Sequence, residues 1–431
     1  MKNKTDVIVV GGGPAGISAA VTIARAGKNV ILIERGKFSG SKNVFGGAIY
    51  AKPTREIFPN FEETAPLERK TVSHKYLMCT EEDSTSVTYH ATKDEPNSYS
   101  VIRSKFDRWM AKEAQKEGVV IVTETLVTEL IVKENKVVGV ITELEEYFAD
   151  IVILADGVNS LLAKQIGLRK EIKPKDVALG VKEVIKLPKE VIEDRFNLAD
   201  GEGTIGEVFG FPMTGILGLG FIYTYKEAVS IGLGVGLDEL VERKIKPYEL
   251  MEEFKSHPTI APLLKGGELV EYSAHLIPEG GYKKIPKLYS HGVLVAGDSA
   301  MLVNSLHWEG TNLAMISGKL AGETAIEAIN KKDFSANTLA LYQKKMETSF
   351  IIKDLKTYKD LMGTLHYRAE SFLGYYPKKI SSFFRMFTEV DSIPKRDKFR
   401  AFLKSIFTDR SISELFKDGI NLIKLVLGVL K

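Results

Sequence analysis

Residues 6 to 35, DVIVVGGGPAGISAAVTIARAGKNVILIER, constrain this chain more than any other stretch. Asp6 to Val10 is a short apolar run that reads as a buried parallel strand. Gly11, Gly13 and Gly16 follow as G-x-G-x-x-G. The first glycine makes a tight turn, the second lets backbone approach a pyrophosphate, and the third lets the next helix pack on the strand. Ile17 to Ala26 supplies that helix, whose N-terminus offers free N–H groups and a positive dipole end to phosphates. Lys28 to Ile33 reads as a second strand ending at Glu34, where a carboxylate can accept both hydroxyls of an adenosine ribose. Strand, helix, second strand and terminal acid all fall at the spacing a dinucleotide fold requires. Glu34 in place of an arginine disfavours a 2′-phosphate, so NADP is not expected in this pocket.

With 431 residues the chain is long enough for two or three domains. A net charge of +3 gives no global reason to expect nucleic acid as a partner. Cys79 is the single cysteine, which excludes a disulfide framework and a Cys-ligated zinc or iron–sulfur site within the chain. No metal site is expected. No run of eighteen apolar residues occurs, so no helix is expected to span a membrane. With a strand already beginning at Asp6, no signal peptide is expected and the expected location is cytoplasmic.

Further along, Gly46-Gly47 is backbone that can lie flat against a large group. Lys70 to Tyr99 alternates as antiparallel strands do. SYSVIRSKFDRWMAKEAQKEG predicts a strand running into an amphipathic helix, with Phe106, Trp109, Met110 and Ala114 on its core face and Arg103 at the junction. A hairpin is expected at Glu134-Asn135. In DIVILADGVNS a buried strand ends at Asp156-Gly157, with Asn159 and Ser160 placed to cap the next helix. Residues 177 to 236 alternate glycines with aromatics and aliphatics, as where a sheet meets a flat ligand or another backbone closely. A helix is expected over 247–256. Val293 to Ala296 then reads as a strand ending in Gly297-Asp298, with a long small-residue helix after Gly310.

From about Phe334 the chain is helical, then aromatic and basic. Residues 378–431 carry twelve Lys and Arg against six Asp and Glu. Ile412, Leu415, Phe416, Ile420, Ile423, Val426, Leu427 and Leu430 recur at three- and four-residue steps, with Lys417, Asn421, Lys424 and Lys431 opposite. That pattern predicts an amphipathic helix for a membrane surface or for a protein core.

GGGPAG with Glu34, ADG at 155–157 and AGD at 296–298 together resemble the flavoprotein superfamily of aromatic hydroxylases, geranylgeranyl reductases and electron-transfer-flavoprotein:quinone oxidoreductases. KNVFGGAIYA, VILADGVNSLLAKQIGL, GFIYTYKEAVSIGLGV and LAMISGKLAGE are most similar to the FixC family, the quinone-oxidoreductase-like subunits of Fix electron-transfer complexes. HWEGTN at 307–312 departs from that family's pattern.

The resemblance implies an α/β chain. A Rossmann-type FAD-binding domain would take residues 1–70, 100–176 and 272–345. An inserted antiparallel β-sheet quinone domain would take 71–99 and 177–271. A C-terminal helical docking region would take 346–431. It implies FAD held by Gly11, Gly13, Ala15, Gly16, Glu34, Arg35, Lys42, Gly46, Gly47, Arg103, Val127, Asp156, Gly157, Gly297, Asp298, Gly310, Thr311 and Asn312. It also implies a quinone pocket of Phe211, Pro212, Tyr223 and Tyr225 with His307 and Trp308 opposite.

The implied activity is electron transfer to a membrane quinone, menaquinone or ubiquinone. The implied partners are a FixA/FixB-type flavoprotein pair that bifurcates electrons, a FixX-type small ferredoxin and an anionic membrane surface. That surface would hold the protein peripherally on the inner face of the cell membrane. FGFPMTG at 209–215 also resembles part of a polyprenyl-lipid reductase pocket strand, so a geranylgeranyl or polyprenyl-lipid reductase is the alternative. An aromatic hydroxylase leaves the basic tail without a role. A scaffold that retains FAD without catalysis is the remaining class.

Overall fold

In the computed structural model the described residues are 4–42, 46–91, 96–306 and 309–430, the side chains of 362 and 425–430 excepted. The chain forms two compact units. The first comprises residues 1–70, 94–178 and 275–359, and the second 71–93, 179–274 and 360–431. The sequence-drawn C-terminal region therefore divides at 359/360, and residues 360–431 belong with the sheet unit.

The first unit is built on a sheet whose neighbouring strands run Tyr289–Ser290, Val293–Val295, Glu146–Leu154, Lys4–Val10, Val30–Ile33 and Val120–Val122. All these pairings are parallel except that of Tyr289–Ser290, which is antiparallel. The central strand is buried almost throughout, as expected of a strand covered on both faces. Val10, Ile33, Leu154 and Val295 form one row across four strands. The hairpin Val127–Lys133 to Lys136–Thr142 extends this sheet. Its turn residues Glu134 and Asn135 both adopt positive φ, 47° and 66°. That is the two-residue turn whose twist matches the flanking strands.

Three of the helices packed in this core bear on the site. Pro14–Arg25 packs against both Thr311–Lys331 and Arg103–Lys116. Phe106, Trp109, Met110 and Ala114 all turn inward, as the helical period predicts. The closest approach is glycine-dependent. A Cβ on Gly318 would lie 2.0 Å from the Ala15 carbonyl oxygen, and one on Gly297 would lie 2.7 Å from the Ala15 Cβ. The helix after Asp156 begins differently from the expected cap. Ser160 does precede Leu161–Gln165, but in the left-handed region at φ 42°, and its hydroxyl makes no capping bond.

The second unit holds a mostly antiparallel sheet, in which Glu202–Gly210 and Leu67–Cys79 run the same way, Thr204 bonding to Ser73 and Phe211 to Cys79. Its strands run Glu268–Pro278, Val177–Lys186, Ala228–Gly236, Gly218–Thr224, Glu202–Gly210 and Leu67–Cys79 in spatial order, with Ser84–His90 beside the last. The end residues of three of these strands belong to the first unit. Helices Lys189–Phe196, Pro247–Ser256 and Ala261–Leu264 cover one face. Ile192, Leu250, Met251 and Phe254 from the helices meet Leu77, Val208, Ile222, Ile231 and Leu233 from the sheet there.

C-terminal helices Tyr376–Thr388, Lys395–Asp409 and Ile412–Leu430 are tied by one buried carboxylate. Asp418 accepts from Arg368 Nε at 2.7 Å, Arg410 Nη1 at 3.2 Å and the Tyr376 hydroxyl at 3.1 Å. The predicted amphipathic helix therefore splits its apolar residues. Leu415 and Ile420 turn partly inward beside Asp418, while Ile412, Phe416 and Ile423 stay exposed. Val426, Leu427 and Leu430 lie outside the described side chains, and Lys431 outside the described residues.

Gly318→Ala is expected to destabilise the protein by about 1–3 kcal/mol, because the added methyl meets backbone that cannot yield. Gly419→Ala, at a helical glycine with open space around it, should be neutral or stabilising. Denaturant midpoints of the two variants check this.

Candidate flavin site

The in-register row places three sequence-distant turns at one carboxyl edge of the parallel sheet. Gly11 follows Val10, Asp156 follows Ala155, and Gly297 follows Ala296. The backbone locks them side by side: Ala155 N–H donates to Val10 O at 2.8 Å, and Ala296 N–H to Leu154 O at 2.9 Å. Ligands of open α/β sheets bind in the crevice outside this edge.

Gly11 has φ +103°, and a Cβ there would sit 2.2 Å from the Ala155 carbonyl oxygen. A Cβ on Gly16 would sit 1.9 Å from Gly11 O. Gly13, the residue before helix Pro14–Arg25, instead has nothing within 4 Å of its Cβ position, so the ground before the helix N-terminus is open. The buried Glu34 carboxylate accepts from Gly12 N–H at 2.7 Å and from Gly36 N–H at 2.6 Å. Those bonds fix the loop and leave lone pairs for ribose hydroxyls.

Arg103 gathers a second set. Its guanidinium is buried and donates to Asp107 at 2.8 and 3.0 Å and to the Thr311 hydroxyl at 3.1 Å. A Cβ on Gly46 would meet the same guanidinium at 3.4 Å. Gly47 is buried. Gly310 precedes helix Thr311–Lys331, and Asn312 is buried with its side-chain oxygen unpartnered among the described residues.

Asp298 is the carboxylate of the third turn. Burial of its carboxyl pushes its pKa up to about 6, against the pull of Arg103 and then Arg169. Burial likewise raises Asp156, although the Ser299 hydroxyl donates to it at 2.9 Å. Three groups here were not singled out from sequence. Arg169 is buried and donates to Val158 O at 2.7 Å and Ser299 O at 3.2 Å, bridging the second and third turns. Ser317 accepts the Gly297 N–H at 3.0 Å. Glu279 keeps both carboxylate oxygens enclosed, with the Ser305 hydroxyl beside them. Burial lifts its pKa to about 7.

The remaining expected FAD contacts are placed as follows. Ala15 is wedged between Gly297 and Gly318 and serves helix packing. Val127 is buried in the core of the first unit. Arg35 and Lys42 are exposed. The expected quinone-pocket aromatics do not converge. Tyr223 pairs with Ile205, six residues along from Phe211, a span of about 20 Å at strand rise. Phe211, joined to Pro212 by a cis bond, packs against the helix-covered core with its ring 5.8 Å from His257. Tyr225 is 1% exposed and lies just beyond its strand. His307 and Trp308 lie outside the described residues.

Comparison with known proteins follows the same division. Residues 6–165 match the family of FAD dependent oxidoreductases, 177–277 the ubiquinone-binding family of ETF-QO, and 361–427 the C-terminal domain of the ETF-QO/FixC family. Protein FixC of Bradyrhizobium diazoefficiens is 44% identical over 427 residues, covering 97% of this chain and 98% of that one. Protein FixC of Escherichia coli is 40% identical over 422 residues, covering 96% and 97%. Among solved structures, a geranylgeranyl bacteriochlorophyll reductase-like protein from Thermoplasma acidophilum superposes with TM-score 0.75 at 21% identity, covering 98% of this chain and 99% of that one. The flavin-dependent brominase Bmp2 superposes with TM-score 0.65 at 15% identity, covering 94% and 100%. Fold and site thus define an FAD-dependent oxidoreductase. The chain belongs to the FixC family.

The residues fit FAD. An open helix N-terminus follows Gly13, the buried Asn312 oxygen lacks a partner among the described residues, and Asp298 adds a carboxylate at the third turn. Gly13 and the helix would face the pyrophosphate, Glu34 the ribose, and Asp298 the ribityl hydroxyls. Bound FAD supplies the electron chemistry, and the protein supplies binding and electrostatics.

Asp298 gives this fit a pH signature. In the ligand-free fold its raised pKa favours the neutral acid, so its contribution to stability is lost as pH rises through about 4 to 6. Ribityl hydroxyls donating to the carboxylate favour the ionised form instead. FAD affinity should therefore rise about tenfold between pH 5 and 7, one pKa unit being one decade. Asp298→Asn should flatten that rise. Asp298→Ala should weaken FAD by roughly tenfold to a hundredfold, the loss of a charged hydrogen bond. Flavin dissociation constants measured across this pH range check all three.

Proposed function

We propose that this protein carries electrons from a partner electron-transfer flavoprotein or ferredoxin, through FAD, to a membrane quinone. It would be the quinone-reducing subunit of a bifurcating Fix complex. The observation that carries the reading is the match of residues 177–277 to the ETF-QO ubiquinone-binding family inside a chain that aligns end to end with FixC proteins. Cys79, the single cysteine, is buried, and burial pushes its thiol up to about 12. A cysteine-bound iron–sulfur cluster therefore has to reside on another chain, which favours a separate FixX-type ferredoxin beside a FixA/FixB-type pair.

The C-terminal helices support residence at an anionic membrane. Among the described residues no helix is long and apolar enough to cross a bilayer. Phe387, Phe407, Ile412 and Phe416 are nevertheless 61–74% exposed. Lys404, Lys417 and Lys424 are exposed between and beside them. Large apolar side chains beside lysines suit a helix lying in the headgroup plane. Each lysine adds about 1 kcal/mol near an anionic leaflet, screened by salt.

A polyprenyl-lipid reductase is the second reading, favoured by FGFPMTG at 209–215 and separable by product. Native co-purification tests the first reading. A two-subunit flavoprotein and a small ferredoxin should accompany the chain, and the assembly should reduce quinone with NADH without saturating a prenyl lipid. Recovery as a solitary homo-oligomer contradicts the reading.

The tail needs surface variants, since deleting it would also strip Arg368 and Arg410 of Asp418. Ile412→Ser, Phe416→Ser and Ile423→Ser combined should keep the fold and the flavin. The triple variant should float with anionic liposomes far less than the parent, whose flotation should weaken at high salt. Equal flotation of the two proteins removes the tail as the anchor.

A further inference from the structure

The sheet of the second unit has a second face, opposite the one that helices Lys189–Phe196, Pro247–Ser256 and Ala261–Leu264 cover. Strand alternation defines it. Val208, Ile222, Ile231 and Leu233 point into the helix-covered core, so Glu207, Phe221, Tyr223, Ser230 and Gly232 point the other way. The register sets them close. Glu207 lies opposite Phe221, Tyr223 opposite Ser230, and Phe221 opposite Gly232. Phe221 and Ser230 are buried, yet Phe221 belongs to neither hydrophobic core cluster. The Ser230 hydroxyl is enclosed and without a partner among the described residues. A Cβ on Gly232 would sit 2.1 Å from the tip of the Phe221 ring, so that ring occupies the space the glycine leaves.

Two aromatic rings 5.2 Å apart, Phe221 and Tyr223, share this face with an acid and an unpartnered hydroxyl, a combination that suits an apolar ring bearing polar oxygens. We propose that Glu207 is the acid that protonates the quinone, with Tyr223 and Ser230 completing the polar rim. This assignment rests on the quinone reading above.

Quinone reduction consumes two electrons and two protons. The Glu207 carboxyl gives one proton to a quinone carbonyl oxygen, its own O–H bond breaking as the new one forms. The resulting carboxylate is reprotonated from water, which also supplies the second proton. The two electrons come from the activity's own reductant, reduced flavin.

The surroundings suit that role. Burial lifts the Glu207 carboxyl to about 7, where it can both hold and release a proton. Among the described residues two phenols respond to its charge. Tyr223 and Tyr76 are each raised by burial first and by the Glu207 charge second. His74, two residues before Tyr76 on the same strand face, is lowered by burial. No cation among these neighbours holds Glu207 in its ionised form.

The test uses the full-length, FAD-loaded protein with decylubiquinone, reading both binding and turnover against pH. The protonated acid donates to the quinone carbonyl and the carboxylate cannot. Binding to the oxidised protein should therefore weaken about tenfold from pH 6 to pH 8. Glu207→Gln should bind with no pH dependence, retain its flavin, and lose at least tenfold in kcat with KM within threefold. Glu207→Asp, which keeps an acid, should retain the pH inflection even where the Gln variant fails to fold. A Gln variant with the parent's inflection and kcat, or an Asp variant without an inflection, overturns the assignment. A parent that does not reduce quinone at all removes the function reading, and the assignment with it.

Discussion

The structure depends on how closely helix Thr311–Lys331 approaches the first turn of helix Pro14–Arg25. Ala15 fits between Gly297 and Gly318 with no room for a methyl on either. That contact holds a turn from residue 297 against a turn from residue 13. The parallel register does the rest, lining up Val10, Leu154 and Val295 so that their following residues share one edge. A site drawn from three parts of a long chain is rigid here because its parts are successive rungs of one sheet.

Charge shapes the same edge. Arg103 and Arg169 are buried cations that act on Asp298 at this edge. Each is held before any ligand arrives, Arg103 by Asp107 and Arg169 by backbone carbonyls. Such pre-paired charges spare the ligand the cost of ordering them, while an unpaired buried guanidinium would itself be destabilising. Asp298 is the exception. Its carboxyl is enclosed and disfavoured as an anion, which makes it the group most responsive to a hydroxyl-bearing ligand.

Much of this was legible in sequence because backbone needs are written in residue types. The glycines at 11 and 16 and the Glu134-Asn135 turn each answer a local steric demand, Gly13 leaves open ground before its helix, and the acid at 34 holds two loop amides. Side chains acting across long separations were not legible. Arg169 bridges Val158 and Ser299, 130 residues apart from the latter, and no local pattern marks such an arginine. Ser160 stands at the expected cap, but its left-handed backbone turns the hydroxyl away from the helix. Tyr223 and Phe211 share a composition and not a place, because strand rise separates them. Glu207 was hidden in a glycine-rich run, where only the register reveals which face it takes. In the last helix, an apolar stripe could not announce that Asp418 would anchor its inner side.

The central claim is that electrons held by the flavin of this chain leave to a quinone. The direct measurement is anaerobic stopped-flow reoxidation of the photoreduced protein by decylubiquinone. The account predicts that the oxidised flavin spectrum returns with one equivalent of quinone consumed per flavin, at a rate that saturates with quinone concentration. A flavin that stays reduced with quinone present, yet reoxidises with a prenylated lipid acceptor, would contradict it.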